Sequence, residues 1–176
     1  TLNMQHITKW AEPVTMGKAV PEIMRRAFFQ LRNGRPGPVM IEVPLDVMGE
    51  DVPGDWVHVP AFKAKSAPDP SDVKEAAALL AGADHPVIYA GQGIHYAKAW
   101  KELKELAEQW NIPVTTSIEG KSAFPEDHPL SLGSGGRANS RPVKRYLEES
   151  DLILGLGVSF ALTAFGVPMP PGKKII

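Results

Sequence analysis

Residues 85–93 read His85-Pro86-Val87-Ile88-Tyr89-Ala90-Gly91-Gln92-Gly93. The run 86–90 is apolar and bounded by turn residues, which is typical of a strand buried inside a sheet. Two glycines follow it at once, as they do in a tight turn from a strand into a helix. The stretch therefore predicts one buried strand of an α/β sheet.

A helix is expected before this strand. Asp69-Pro70-Ser71-Asp72 predicts its start, because an N-cap acid is followed by proline at the first helical position. We expect Gly82 to end it. Its predicted inner face consists of Val73, Ala76, Ala77 and Leu80.

Helices and strands continue to alternate after the glycine turn. One long amphipathic helix is expected, with Tyr96, Trp100, Leu103, Ala107 and Trp110 on one stripe. Further strands are predicted at residues 112–117, 151–157 and 173–176, a loop-rich stretch at 118–137, and a helix at 140–149. Such alternation implies a parallel sheet with right-handed crossovers. We predict an open, doubly wound parallel sheet of the Rossmann-like α/β class from residue 69 to 176, truncated at its C-terminal end.

The first 47 residues do not continue this alternation of helices and strands. A helix is predicted over residues 20–32, with an apolar face and an Asn33-Gly34 stop, and a central strand over 39–43. The helix face consists of Ile23, Met24, Ala27, Phe28 and Leu31. A lone helix and strand cannot bury their apolar faces. Residues 1–47 are therefore expected to be the remnant of a preceding α/β domain in a longer protein, and the absence of an initial Met points the same way.

Residues 48–68 are predicted to form an interdomain linker. Four residues that favour turns interrupt the stretch, and no periodicity is sustained: Pro53, Gly54, Pro60 and Pro68. Its apolar side chains suggest that it lies along a domain surface.

Composition excludes several classes of function. The chain has 176 residues, of which 43% are hydrophobic and 22% are charged, as in ordinary globular proteins. Its net charge of -1 gives no reason to expect nucleic acid or a membrane as a partner. The absence of cysteine excludes disulfides and thiolate chemistry, which fits a cytoplasmic location. The five histidines show no metal-ligand spacing, so we predict no metal site in this chain.

Four glycine-rich or serine-rich loops are expected at the carboxyl edge of the predicted sheet, where α/β proteins bind ligands. They comprise residues 91–93, 117–120, 132–136 and 157–160. Glycine allows close backbone approach, and N–H groups at helix starts favour phosphate. The loops are compatible with a nucleotide diphosphate site or with tight turns alone. The candidate cofactor-binding residues are Gly91, Gln92, Gly93, Ser117, Gly120, Gly133, Ser134, Gly157 and Ser159.

The dinucleotide fingerprint is absent, since Tyr96 stands where Gly-x-Gly-x-x-Gly needs its last glycine. This argues against a Rossmann dehydrogenase. Glu119 is the one acid expected at the ligand edge. Trp100 and Trp110 are interpreted as core residues.

In this order the segments resemble the thiamine diphosphate-dependent enzymes of the acetolactate synthase and 2-oxo-acid decarboxylase superfamily. Residues 7–10 and 34–47 are similar to the end of that family's N-terminal pyrimidine-binding domain. The central domain is matched by residues 85–93, 112–120, 124–130, 132–133 and 150–157.

The resemblance implies a parent enzyme, requiring thiamine diphosphate and Mg²⁺, that makes or breaks a C–C bond next to the carbonyl of a 2-oxo acid. It also implies a homo-oligomer, either a dimer or a tetramer. The family's catalytic glutamate and its magnesium-binding element fall outside this chain. We therefore assign no catalytic residue and do not expect the chain alone to be active.

The resemblance leaves the central domain open to FAD, ADP or no nucleotide. The FAD-binding branch carries Met-His-Gly and Arg-Phe-Asp, where this chain has Ser134-Gly135-Gly136 and Ser159-Phe160-Ala161. An autonomous ADP- or FAD-binding module without catalysis is the alternative hypothesis, and a purely structural interaction domain is a third.

Overall fold

A computed structural model describes residues 1–52, 54–136, 139–161, 166 and 168–176. The chain divides into two compact units, Thr1–Ala67 and Pro68–Ile176. Pro53 of the predicted linker and part of the predicted loop after residue 157 lie outside the described residues.

The first unit contains one parallel strand pair and a covering helix. Its elements are β1 (Trp10–Pro13), α1 (Val20–Arg32), β2 (Val39–Glu42) and α2 (Leu45–Met48). The strands pair in parallel, with Trp10 opposite Val39. Helix α1 begins and ends where the sequence predicts. Strand β1 and helix α2 were not predicted, because four residues are too few to show a period.

The predicted apolar face of α1 is wrong in part. Ile23 and Ala27 are buried, and Ile23 forms a small core with Val14 and Val47. Met24, Phe28 and Leu31 remain exposed on the neighbouring strip of the helix. Among the described residues, β2 pairs with β1, and its place as a central strand of a larger sheet stays a prediction.

The second unit is built on a five-stranded parallel sheet with the strand order β5-β4-β3-β6-β7. The strands are β3 (Pro86–Ala90), β4 (Val114–Thr116), β5 (Ser131–Ser134), β6 (Leu152–Leu156) and β7 (Lys174–Ile175). Strand β3 lies at the centre and pairs with both β4 and β6. The predicted fold class is confirmed.

Helices cover the sheet on both faces. They are α3 (Pro70–Ala81), α4 (Gly93–Ala97), α5 (Trp100–Trp110) and α6 (Arg141–Glu149). Ile88 packs on one face with Leu103 of α5 and Leu80 of α3. On the other face, Val87 packs with Leu147 of α6. Side chains alternate across a strand, so β3 supplies both cores.

The single long helix predicted after Gly93 is wrong. Lys98 adopts a left-handed conformation with φ 57°, which ends α4, and α5 begins at Trp100. Leu103 and Ala107 are buried as expected, whereas Tyr96 is exposed. The assignment of Trp100 and Trp110 to the core is also wrong, since 43% and 40% of their surfaces are exposed.

Two further expectations fail in the second unit. Residues 118–137 are not all loop, because β5 lies among them and pairs with β4. On α3, Leu80 is buried as predicted, but Val73 and Ala77 are exposed. Helix α3 meets the core mainly at its C-terminal end, through Leu80. Among the described residues, no helix is both long enough and apolar enough to cross a membrane.

Asp151 joins the start of β6 to the turn before β3. Its carboxylate accepts the N–H groups of Asp84 at 2.7 Å and His85 at 2.9 Å. The Asp84 N–H is the largest cause of a lowered pKa for Asp151, and the His85 N–H also lowers it. A carboxylate that is hydrogen-bonded in its charged form stabilises the fold at neutral pH.

We expect Asp151→Ala to lower the free energy of unfolding by about 1 kcal/mol at pH 7, because two backbone donors lose a charged acceptor. The folded-state pKa is depressed, so this difference should shrink as the pH falls below about 3.9, the value for an unfolded Asp. Urea unfolding of both proteins at pH 7 and pH 3 measures it. Asp127→Ala is the control, since Asp127 is exposed and has no partner among the described residues. Equal losses from both variants would contradict the role of Asp151.

Candidate functional site

Four segments follow the carboxyl ends of adjacent strands. Residues 91–93 follow β3, 117–120 follow β4, 135–136 follow β5, and 157–160 follow β6. From β3 the chain adds β4 and β5 on one side of the sheet, and then β6 and β7 on the other side of β3, so the direction reverses between β3 and β6. Their carboxyl ends thus form the topological switch point, where open α/β sheets bind ligands. The structure brings most of the predicted site residues to this edge.

The turns after β3 and β6 touch backbone to backbone. A Cβ added to Gly93 would lie 2.6 Å from the Gly157 Cα, and one added to Gly157 would lie 2.7 Å from the Gly93 Cα. A Cβ on Gly91 would lie 2.6 Å from the Val158 Cα. These neighbours are backbone atoms, which cannot rotate aside. Gly157 also has φ 63°, a conformation that glycine adopts without strain.

The turn after β4 contacts the carboxyl end of β3. A Cβ on Gly120 would lie 2.6 Å from the Ala90 carbonyl oxygen and 2.9 Å from the Gly91 carbonyl carbon. The buried Ser117 accepts the Gly120 N–H on its Oγ at 3.0 Å. Three of the four segments therefore meet at the end of β3.

Two backbone donors of these turns, the N–H groups of Gly91 and Gly93, already have carbonyl partners. The Gly91 N–H donates to the Leu156 carbonyl at 2.9 Å, and the Gly93 N–H donates to the Gly157 carbonyl at 2.8 Å. The helix that follows, α4, has only five residues. These groups do not form an open cradle for a diphosphate, and the loop contacts account for the glycines without a ligand.

The other predicted site residues are more scattered. Gly133 and Ser134 lie inside β5 and not in a loop, which corrects that part of the prediction. Ser134 Oγ lies 2.9 Å from Thr116 Oγ1, at the end of β4. Gln92 and Ser159 are exposed. Nucleotide binding by the nine candidate residues stays a prediction.

Tyr89 of β3 and Phe160 of the segment after β6 form an aromatic pair. Their rings stack with centroids 5.8 Å apart, and Phe160 lies over Gly155 of β6, where an added Cβ would meet its ring at 2.6 Å. Burial raises the pKa of the Tyr89 phenol, and the Glu119 carboxylate raises it further. Glu119 is exposed near this edge, as the sequence predicts.

His95 links α4, α5 and the turn after β4. The Trp100 indole N–H donates to His95 Nδ1 at 2.9 Å. Nδ1 is thus an acceptor, so the proton of the neutral ring lies on Nε2 and is donated to the Lys121 carbonyl at 3.0 Å. Sequence reasoning missed this network, because the helix break that places Trp100 beside His95 leaves no periodic signal.

No group of three His, Cys, Asp or Glu side chains among the described residues is arranged to hold a metal ion.

We expect Gly93→Ala to lower the free energy of unfolding of the second unit by about 1–3 kcal/mol or more, since its Cβ would overlap the Gly157 backbone. Gly82→Ala is the matched control, because there the nearest atom would lie at an ordinary 3.5 Å. Urea unfolding of the three proteins measures the difference. Equal stability of both variants would show that the turns can separate freely.

Comparisons with known proteins bear on the whole chain. The family described as "Thiamine pyrophosphate enzyme, central domain" matches residues 73–176. An acetolactate synthase from Mycobacterium bovis is 36% identical over 157 residues, which cover 88% of this chain and 25% of that protein. The acetolactate synthase large subunit of Corynebacterium glutamicum is 32% identical over 175 residues, covering 97% of this chain and 28% of that subunit.

A solved structure agrees. The benzoylformate decarboxylase of Polynucleobacter necessarius superposes with a TM-score of 0.78 and 26% identity, over 98% of this chain and 34% of that one. The chain thus spans about a quarter of these curated relatives and a third of the solved structure. The resemblance noted from the residues is confirmed: this chain belongs to the thiamine pyrophosphate enzyme family, and residues 73–176 match its central domain.

Proposed function

We propose that the chain is part of a thiamine diphosphate- and Mg²⁺-dependent enzyme that makes or breaks a C–C bond next to the carbonyl of a 2-oxo acid. The supporting observation is the family match over residues 73–176, together with relatives named acetolactate synthase and benzoylformate decarboxylase. Thiamine diphosphate would supply, when bound, a nucleophilic carbon that adds to the carbonyl carbon and a cationic ring that takes up the electron pair released by decarboxylation. We propose that the groups that bind and activate it lie in the rest of the protein.

We further propose that residues 68–176 serve as a scaffold and bind no nucleotide. The contacts of Gly91 and Gly93 with residues 157–158 support this role, because they fill the switch point with the chain's own backbone. The second support is the pairing of the Gly91 and Gly93 N–H groups with carbonyls of the same unit. A scaffold needs a rigid sheet and closely packed turns, which these contacts supply.

The exposed apolar strip of α1 supports a larger assembly. Met24, Phe28 and Leu31 are spaced as one helical stripe and remain exposed in the first unit. We propose that other parts of a cytoplasmic homo-oligomeric enzyme, either a dimer or a tetramer, cover them.

The intact protein that contains this chain should release CO₂ from pyruvate or benzoylformate only when thiamine diphosphate and Mg²⁺ are both present. In each substrate the bond between the carboxylate and the carbonyl carbon breaks. Measured CO₂ release after dialysis against chelator, with each cofactor restored singly and together, tests the dependence. Turnover without thiamine diphosphate, or no turnover of any 2-oxo acid, would contradict the proposed reaction class.

Calorimetric titration of the chain with ADP and with FAD should give no saturable heat in the micromolar range, because the Gly91 and Gly93 N–H groups are already paired and these turns are packed against residues 157–158. Binding of either ligand would contradict the scaffold role and favour the nucleotide-binding alternative. It would leave the proposed reaction class intact, so the two proposals fail separately.

A further inference from the structure

Residues 61–64 of the linker are bound to the C-terminal end of α1. The Arg32 Nη1–H donates to the Ala61 carbonyl at 2.7 Å. The Asn33 Nδ2–H donates to the Phe62 carbonyl at 2.9 Å, and the Ala64 N–H donates to Asn33 Oδ1 at 2.5 Å. The Asn33 amide thus pairs with the linker backbone through a donor and an acceptor, as a neighbouring strand would.

Apolar contacts reinforce these bonds. The Phe29 and Phe62 rings meet edge to face, with centroids 5.2 Å apart. Ala61 is buried, in a stretch whose other described residues are exposed from 54 to 69. Asn33 Nδ2 also donates to the Phe29 carbonyl at 2.8 Å, which fixes the amide against the helix. We refer to Phe29, Arg32, Asn33 and residues 61–64 as the linker clamp.

After residues 61–64, the next residue along the chain that makes a hydrogen bond to another described residue is Asp69. Its carboxylate accepts the Ser71 N–H at 2.8 Å and caps α3, whose first residue is Pro70. Between clamp and cap lie Lys65, Ser66, Ala67 and Pro68, all exposed and outside any helix or strand. No hydrogen bond joins these four to another described residue.

We propose that the linker clamp confines reorientation of the two units to a hinge of residues 65–68. The segment 61–64 then moves with the first unit and the Asp69 cap with the second. A four-residue hinge extends to about 14 Å at most, at about 3.6 Å per residue. A linker free from residue 49 onward would give the central domain a far larger range, so the clamp limits how far that domain can travel.

Backbone ¹⁵N relaxation on the whole chain tests the proposal. Order parameters at residues 61, 62 and 64 should be about 0.85, as in rigid helices, and should fall below about 0.6 at residues 65–67. In Asn33→Ala, the values at 61–64 should drop to those of the hinge, while the second unit stays unchanged. Asn3→Ala is the matched control, because Asn3 is exposed and distant in sequence from the clamp.

A second variant is needed because Asn33→Ala could unfold the end of α1 and so lower the order parameters for a different reason. Phe62→Ala leaves α1 unaltered and removes a ring that is 65% exposed, so it should lower the order parameters at 61–64 partway without unfolding the unit. Far-UV circular dichroism verifies both folds. The proposal would be overturned if residues 61–64 of the unaltered chain had order parameters as low as those of residues 65–67. It would also be overturned if both variants folded and their order parameters at residues 61–64 equalled those of the unaltered chain.

Discussion

The second unit depends on a backbone-to-backbone contact between the turns that follow β3 and β6. Gly93 and Gly157 approach so closely that a Cβ on either would lie under 3 Å from the other's Cα. The Gly93 N–H to Gly157 carbonyl bond joins the two turns at the same point. This contact lets the central strand pairs continue to their carboxyl ends, and it requires glycine on both sides.

The same contact bears on function, because it lies where open α/β sheets usually admit a ligand. Glycines after strands suggest phosphate binding when only the sequence is considered. In this fold their missing side chains make room for the neighbouring turn, and the Gly91 and Gly93 N–H groups bind carbonyls of the chain itself. These contacts are the basis for our proposal that residues 68–176 serve as a scaffold.

Much of the fold could be predicted from local signals. Helix α1 begins and ends as predicted, and the Asp69 cap and Pro70 mark the start of α3. The run 86–90 predicted β3, since a five-residue apolar run with β-branched and aromatic residues between turn residues is typical of a buried strand. Strand β5 is not predicted from the sequence, because Ser131-Leu132-Gly133-Ser134 contains one apolar residue and therefore shows no alternating pattern. The break at Lys98 escaped because lysine has no preference for the left-handed conformation it adopts there.

The sequence by itself determined the alternation of helices and strands, and with it the parallel sheet, because periodicity and turn residues act over a few neighbours. It also determined the family, through the order of its segments. Only the tertiary structure decided what the glycines contact, which side of α1 is buried, and that Asn33 binds a linker about thirty residues away. These outcomes depend on atoms distant in sequence, whose approach is fixed by the packing of whole elements and not by local preference.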